Sequence, residues 1–123
     1  MKNSSKKIFS LLLIMIMLIS STGVVNAATN GYIYGYWYNT SASATSSSIS
    51  ASITSEPESS TEPDASVYLY GTAYNSSGVA LGYIEASGSP SCSDTHTRLS
   101  SVYRGIVDFS VDGYQVETKY AYA

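Results

Sequence analysis

Beyond its first 27 residues the chain reads as an all-β domain, a small antiparallel β-sandwich or barrel-like fold of about five to seven strands. Three observations predict this. No stretch repeats apolar residues at helical spacing, and Ser, Thr, Tyr, Val and Gly dominate. β-branched and aromatic residues recur instead at every second position, the period of a strand. Turn compositions, Asn75-Ser76-Ser77-Gly78 and Asp112-Gly113, separate such runs. With no helices to carry crossovers, the strands must pair mostly antiparallel, and two stacked sheets or a small barrel bury their apolar faces.

The residues before this domain, 1–27, read as an export signal. Lys2, Lys6 and Lys7 make a basic start, and 8–19 is apolar apart from Ser10. Val25 and Ala27 occupy the two positions a signal peptidase reads. The run is short against the roughly 20 apolar residues of a spanning helix, which disfavours an uncleaved anchor. No cysteine stands at the cleavage point, which disfavours a lipoprotein. The expected product is a secreted chain, 28–123, starting at Ala28, and the Lys-, Met- and Ile-rich leader looks bacterial.

Taken in order, the first element is "GYIYGYWYN", 31–39. As one strand it sets Tyr32, Tyr34, Tyr36 and Tyr38 on one face, with Trp37 on the other. Residues 41–54 are Ser-rich and open to two readings, strand or disorder. The alternation of Ile49, Ala51 and Ile53 with hydroxyl residues favours a strand over about 47–54. "SEPESSTEPDA", 55–65, is an acidic, Pro-containing loop. Its carboxylates suggest calcium, but their spacing does not match an EF-hand loop, so a solvated spacer is the better reading.

A hairpin follows around 75–78, with Tyr74 expected opposite Val79. Its core face carries Val67, Leu69, Gly71, Ala73, Ala80, Gly82, Ile84 and Ala86. Its outer face carries Tyr68, Tyr70, Thr72, Tyr74, Val79, Leu81, Tyr83 and Glu85. Residues 88–97 read as a loop running into a strand edge. The last hairpin, 102–122, turns at Asp112-Gly113. It is expected to oppose Val111 with Tyr114, Phe109 with Val116, Val107 with Thr118, Gly105 with Tyr120 and Tyr103 with Tyr122 on the core side. Ser110 with Gln115, Asp108 with Glu117, Ile106 with Lys119 and Arg104 with Ala121 then make its outer face.

Composition excludes some functions. After the leader, Arg98, Arg104 and Lys119 stand against all nine acids of the chain. Such a balance gains nothing from counterion release on nucleic acid and is repelled by anionic lipid. Cys92 is the one cysteine, so no internal disulfide forms; it is expected to be buried or idle, with an interchain link as the alternative.

Signals for chemistry are weak. Cys92, Asp94 and His96 are metal-ligand types at period two, and His beside Cys is also a thiolate arrangement. His96 is the sole histidine, however, and the segment reads as a loop. No Ser sits in a Gly-x-Ser-x-Gly context, and no phosphate-binding glycine loop occurs. The triplets at Asn39 and Asn75 match the N-glycosylation pattern but read as chance in a bacterial protein. No catalytic residue, metal or cofactor is expected.

The tyrosines remain. Cross-strand aromatic pairs stabilise any sheet by up to about 1 kcal/mol each. They also offer rigid, amphipathic area with a hydroxyl free for polar partners. The expected ligand-binding set is Tyr32, Tyr34, Tyr36, Trp37, Tyr38, Tyr68, Tyr70, Tyr74 and Tyr83. The reading is a non-enzymatic binding or structural protein that meets carbohydrate, cell envelope, protein or another copy of itself. The alternative is a bacteriocin-like or pore-forming antagonist using its Ser/Thr-rich strands on membranes.

Overall fold

A computed structural model describes residues 26–123. Residues 1–25 of the expected export signal lie outside the described residues; Asn26 and Ala27 open the first strand, and the expected cleavage point before Ala28 falls within it. The described chain forms eight strands: β1 (Asn26–Ile33), β2 (Tyr36–Thr45), β3 (Ser48–Pro57), β4 (Val67–Tyr74), β5 (Ala80–Gly88), β6 (Ser91–His96), β7 (Arg104–Val111) and β8 (Tyr114–Tyr122). They make two four-stranded antiparallel sheets, ordered β1-β2-β3-β6 (sheet 1) and β5-β4-β7-β8 (sheet 2). The all-β sandwich is the predicted class, with one strand more than the expected range.

Its core lies between the sheets. Ile49, Ala51 and Ile53 of sheet 1 face Leu69, Ile84, Val107 and Phe109 of sheet 2. Strict alternation puts these on one side of each strand and hydroxyl or charged residues, joined by Ile106 on β7, on the other.

Four local expectations are corrected. The stretch 31–39 is not one strand. Tyr34 and Gly35 have φ of 43° and 88°, the left-handed pair of a two-residue hairpin turn, and Tyr36 pairs back on Ile33. The four tyrosines therefore do not share a face. Tyr32 points outward opposite Trp37, Tyr34 sits on the turn, and Tyr38 is buried above Gly31. A Cβ at residue 31 would lie 2.2 Å from the Tyr38 ring, so only glycine lets the ring settle there.

The second correction concerns 88–97, whose central residues are the edge strand β6 rather than a loop. Third, the β4–β5 register is displaced by two residues, and an irregularity between Ala73 and Tyr74 sets Tyr74 opposite Ala80 rather than Val79. A slip of two preserves the faces, so Val67, Leu69, Gly71, Ala73, Ile84 and Ala86 still turn inward.

The fourth is larger. The β7–β8 turn is as expected, with Val111 opposite Tyr114 and Ser110 opposite Gln115. A bulge then follows, and Phe109 pairs with Glu117 instead of Val116. One extra residue exchanges the two faces of β8. Glu117, Lys119 and Ala121 turn inward, while Thr118, Tyr120 and Tyr122 turn outward. The expected Asp108–Glu117 pair, which would set like charges opposite each other, does not form, because Thr118 stands opposite Asp108 and donates to its carboxylate. Residues 41–54 also resolve: both halves are strand, and residues 46–47 form the turn between them. β3 continues to Pro57, so the acidic loop starts three residues later than the expected residue 55.

Candidate functional site

Sheet 2 positions the tyrosines by register. Across β5-β4-β7-β8 its outer face runs in rows: Ser87–Tyr68–Ser110–Gln115, then Glu85–Tyr70–Asp108–Thr118. The next rows are Tyr83–Thr72–Ile106–Tyr120 and Ala80–Tyr74–Arg104–Tyr122. Tyr68, Tyr70, Tyr83, Tyr120 and Tyr122 are all exposed, with Tyr83 at 59 % and Tyr120 at 50 %. Tyr70 and Tyr83 stack at 5.9 Å between ring centroids and 25° between planes, forming one platform. Tyr122 meets Tyr103 edge-on at 5.9 Å, forming a second.

Polar groups beside the platforms, in the row of Tyr70, are already oriented. Tyr68 donates its hydroxyl to Glu85 in a short hydrogen bond, which pushes the phenol pKa up. Asp108 accepts from Thr118 and from Gln115 Nε2 at 3.3 Å. Each carboxylate has acceptor capacity left beyond these bonds.

The predicted set divides. Tyr68, Tyr70, Tyr74 and Tyr83 belong to this face. Tyr32 and Trp37 make an edge-to-face pair at 5.0 Å on the outer side of sheet 1, where the Tyr32 hydroxyl donates to Glu58 at 2.7 Å. That bond raises the Tyr32 pKa. Tyr34 lies against Tyr114 at 4.9 Å, joining the turns of the two sheets. Tyr36 donates to the Pro63 carbonyl at 2.9 Å, and desolvation followed by nearby Asp112 raises its pKa. Burial, then Glu117, raises that of Tyr38. The structure thus keeps the 31–39 aromatics away from the sheet 2 face.

Sequence reading missed Tyr103, Tyr120, Tyr122 and the central Ile106. The signal was present but masked. Tyr120 and Tyr122 alternate as a strand should, yet the bulge before them reversed their side.

Cys92, Asp94 and His96 do share one face, as their spacing implied, and that face meets the edge of β5. Asp94 Oδ2 accepts from the Glu85 amide at 3.0 Å, and His96 Nδ1 lies 3.0 Å from the Tyr83 carbonyl. The Cys92 thiol is directed at the Val67 carbonyl, and desolvation raises its pKa, which keeps it protonated and poorly nucleophilic at neutral pH. Among the described residues no cluster of three or more His, Cys, Asp or Glu can hold a metal.

The outer face of sheet 1 is chemically different. Ser41 and Ser52 are hydrogen-bonded at 2.7 Å, Thr45 and Ser48 at 2.7 Å, and Ser50 and Thr95 at 2.9 Å. These rungs form a sheet of paired hydroxyls. Comparison with protein-family models, with curated proteins and with solved structures gives no match for this chain.

Proposed function

We propose that this is an exported, non-enzymatic binding or structural protein that presents the tyrosine face of sheet 2 to an extracellular carbohydrate, cell-envelope or protein surface. One observation carries the reading. Five tyrosines on one sheet face are exposed rather than covered, and Ile106 lies among them. Sheet stabilisation accounts for rings packed on their neighbours; it does not require a contiguous exposed patch, which is the mark of an interaction surface. The test is retention on cell-wall material. Wild type should be retained, and the double variant Tyr83→Ala/Tyr120→Ala should elute. Equal retention of the two would remove the sheet 2 face from consideration.

A second reading, a membrane-active antagonist, has one observation in its favour. β2 and β3 form a hairpin of two ten-residue strands whose turn-side half, residues 41–54, has hydroxyls on the outer side and Ala and Ile on the inner one. Strands of about 9–11 residues span a bilayer. In the folded chain that apolar side is committed to the core. Dye leakage from zwitterionic liposomes would support this reading, and intact vesicles at micromolar protein would count against it.

A further inference from the structure

We infer that the partner of the sheet 2 face is a neutral, extended glycan lying across the strands. This rests on the binding-face reading above and specifies its ligand class. The row Tyr83–Thr72–Ile106–Tyr120 crosses all four strands. Its end rings are therefore three strand spacings apart, about 14 Å. Each end carries an aromatic pair, Tyr70 with Tyr83 and Tyr122 with Tyr103, while Tyr120 extends the second end. A pyranose has an apolar C–H face that lies flat on such rings and a rim of hydroxyls that both donate and accept.

The polar groups of the neighbouring row, Glu85–Tyr70–Asp108–Thr118, suit that rim. Glu85 and Asp108 are acceptors, fixed in place by Tyr68 and by Thr118 with Gln115, so they call for a donor-rich ligand. A Pro-rich peptide would stack equally well on tyrosines but offers few donors. Charge points the same way. Two carboxylates and Arg104 on the face leave it slightly negative, which disfavours polyanions without demanding a cation.

Area argues against a second copy. Three strand spacings by the six-residue step from Tyr68 to Tyr74, with side-chain margins, give a face on the order of 400 Å². A stable protein interface needs about 800 Å² per partner. A single polymer strand needs only the strip between the two aromatic ends.

The experiment is a titration of ¹⁵N-labelled protein with cellohexaose, mannohexaose and N-acetylchitohexaose, with polyproline and polyglutamate beside them. At least one saccharide should give saturable shifts at the amides of Thr72, Ile106 and Tyr120, and none at Tyr34 or Ser50. Tyr83→Ala and Tyr120→Ala should each weaken that binding about tenfold, the cost of losing one stacking contact of roughly 1.4 kcal/mol. Tyr34→Ala should leave it unchanged. Thr72→Lys, which fills the strip with a residue a strand tolerates, should also abolish it if an alanine variant proves unstable. No saturable shift with any of the saccharides overturns the inference. Shifts with polyproline, or on concentrating the protein alone, overturn the glycan but keep the face. Shifts confined to sheet 1 overturn both.

Discussion

Replacing Glu117 with alanine tests the feature that sequence reading placed on the wrong side of β8. Glu117 and Lys119 form an ion pair at 2.8 Å, with side chains only 18 % and 9 % exposed. Glu117 also accepts from Thr40 Oγ1 at 3.2 Å, and Lys119 donates to Thr29 in a short hydrogen bond. Thr40 is itself buried. Glu117→Ala leaves an ammonium without its counter-ion and a buried hydroxyl without an acceptor. Breaking a buried pair from one side costs about 3–5 kcal/mol. The site lies where β8 meets β1 at the side of the sandwich, so Lys119 can partly swing toward water, and the expected loss is nearer ~3 kcal/mol. In a domain of this size that lowers Tm by roughly 12–24 °C, at about 4–8 °C per kcal/mol. Glu117→Val/Lys119→Met removes both charges and should recover most of the loss. Urea denaturation followed by far-UV circular dichroism measures all three proteins. A loss below about 0.5 kcal/mol for Glu117→Ala, the value of an ordinary surface change, would mean that Glu117 is solvated and the bulge is absent.

Three further outcomes are expected. Gly113→Val should cost more than about 1 kcal/mol in the same urea assay, because a β-branched residue at positive φ is strained; Gly113 has φ +83° and open space around it, so the penalty comes from the backbone rather than a clash. Stability should be full below about pH 10 and fall as pH rises through the folded-state tyrosine values, because Tyr32, Tyr36, Tyr38 and Tyr68 all have raised pKa values and the unfolded phenols ionise first. Tyrosinate absorbance against pH, native and in urea, should show the native curve displaced to higher pH; coincident curves would refute this. Cys92→Ser should keep a cooperative melt with a loss of about 1 kcal/mol, and the native thiol should react slowly with a disulfide reagent at neutral pH.

The core was legible because apolar alternation marks the inward side of a strand whatever its partner. Val67, Leu69, Ile84, Ile49, Ile53, Val107 and Phe109 were all placed inward, and a two-residue slip between β4 and β5 did no harm to that assignment. Tyrosine defeats the same reasoning. It serves as buried ring at Tyr38, exposed ring at Tyr83 and turn residue at Tyr34, so the run 31–39 alternates straight through a hairpin turn without a mark. The bulge opposite Phe109 was hidden for another reason. Reading β8 without it keeps Lys119 outside, as charged residues usually are, and only a buried partner makes the inward placement tolerable. Half of the candidate site was therefore visible from β4 and β5, and the half on β8 was not.

The contact between β6 and β5 determines how this molecule can meet its own kind. An edge strand presents unpaired amides and carbonyls that recruit strands from other chains. On β5 the Glu85 amide is taken by Asp94 and the Tyr83 carbonyl by His96, two side chains standing in for a neighbour's backbone. These two groups belong to the same residues that bound the aromatic platform above. A chain arriving at that border finds two groups of its template already occupied, which disfavours strand addition at β5 beside the surface where concentrated tyrosines would otherwise invite it.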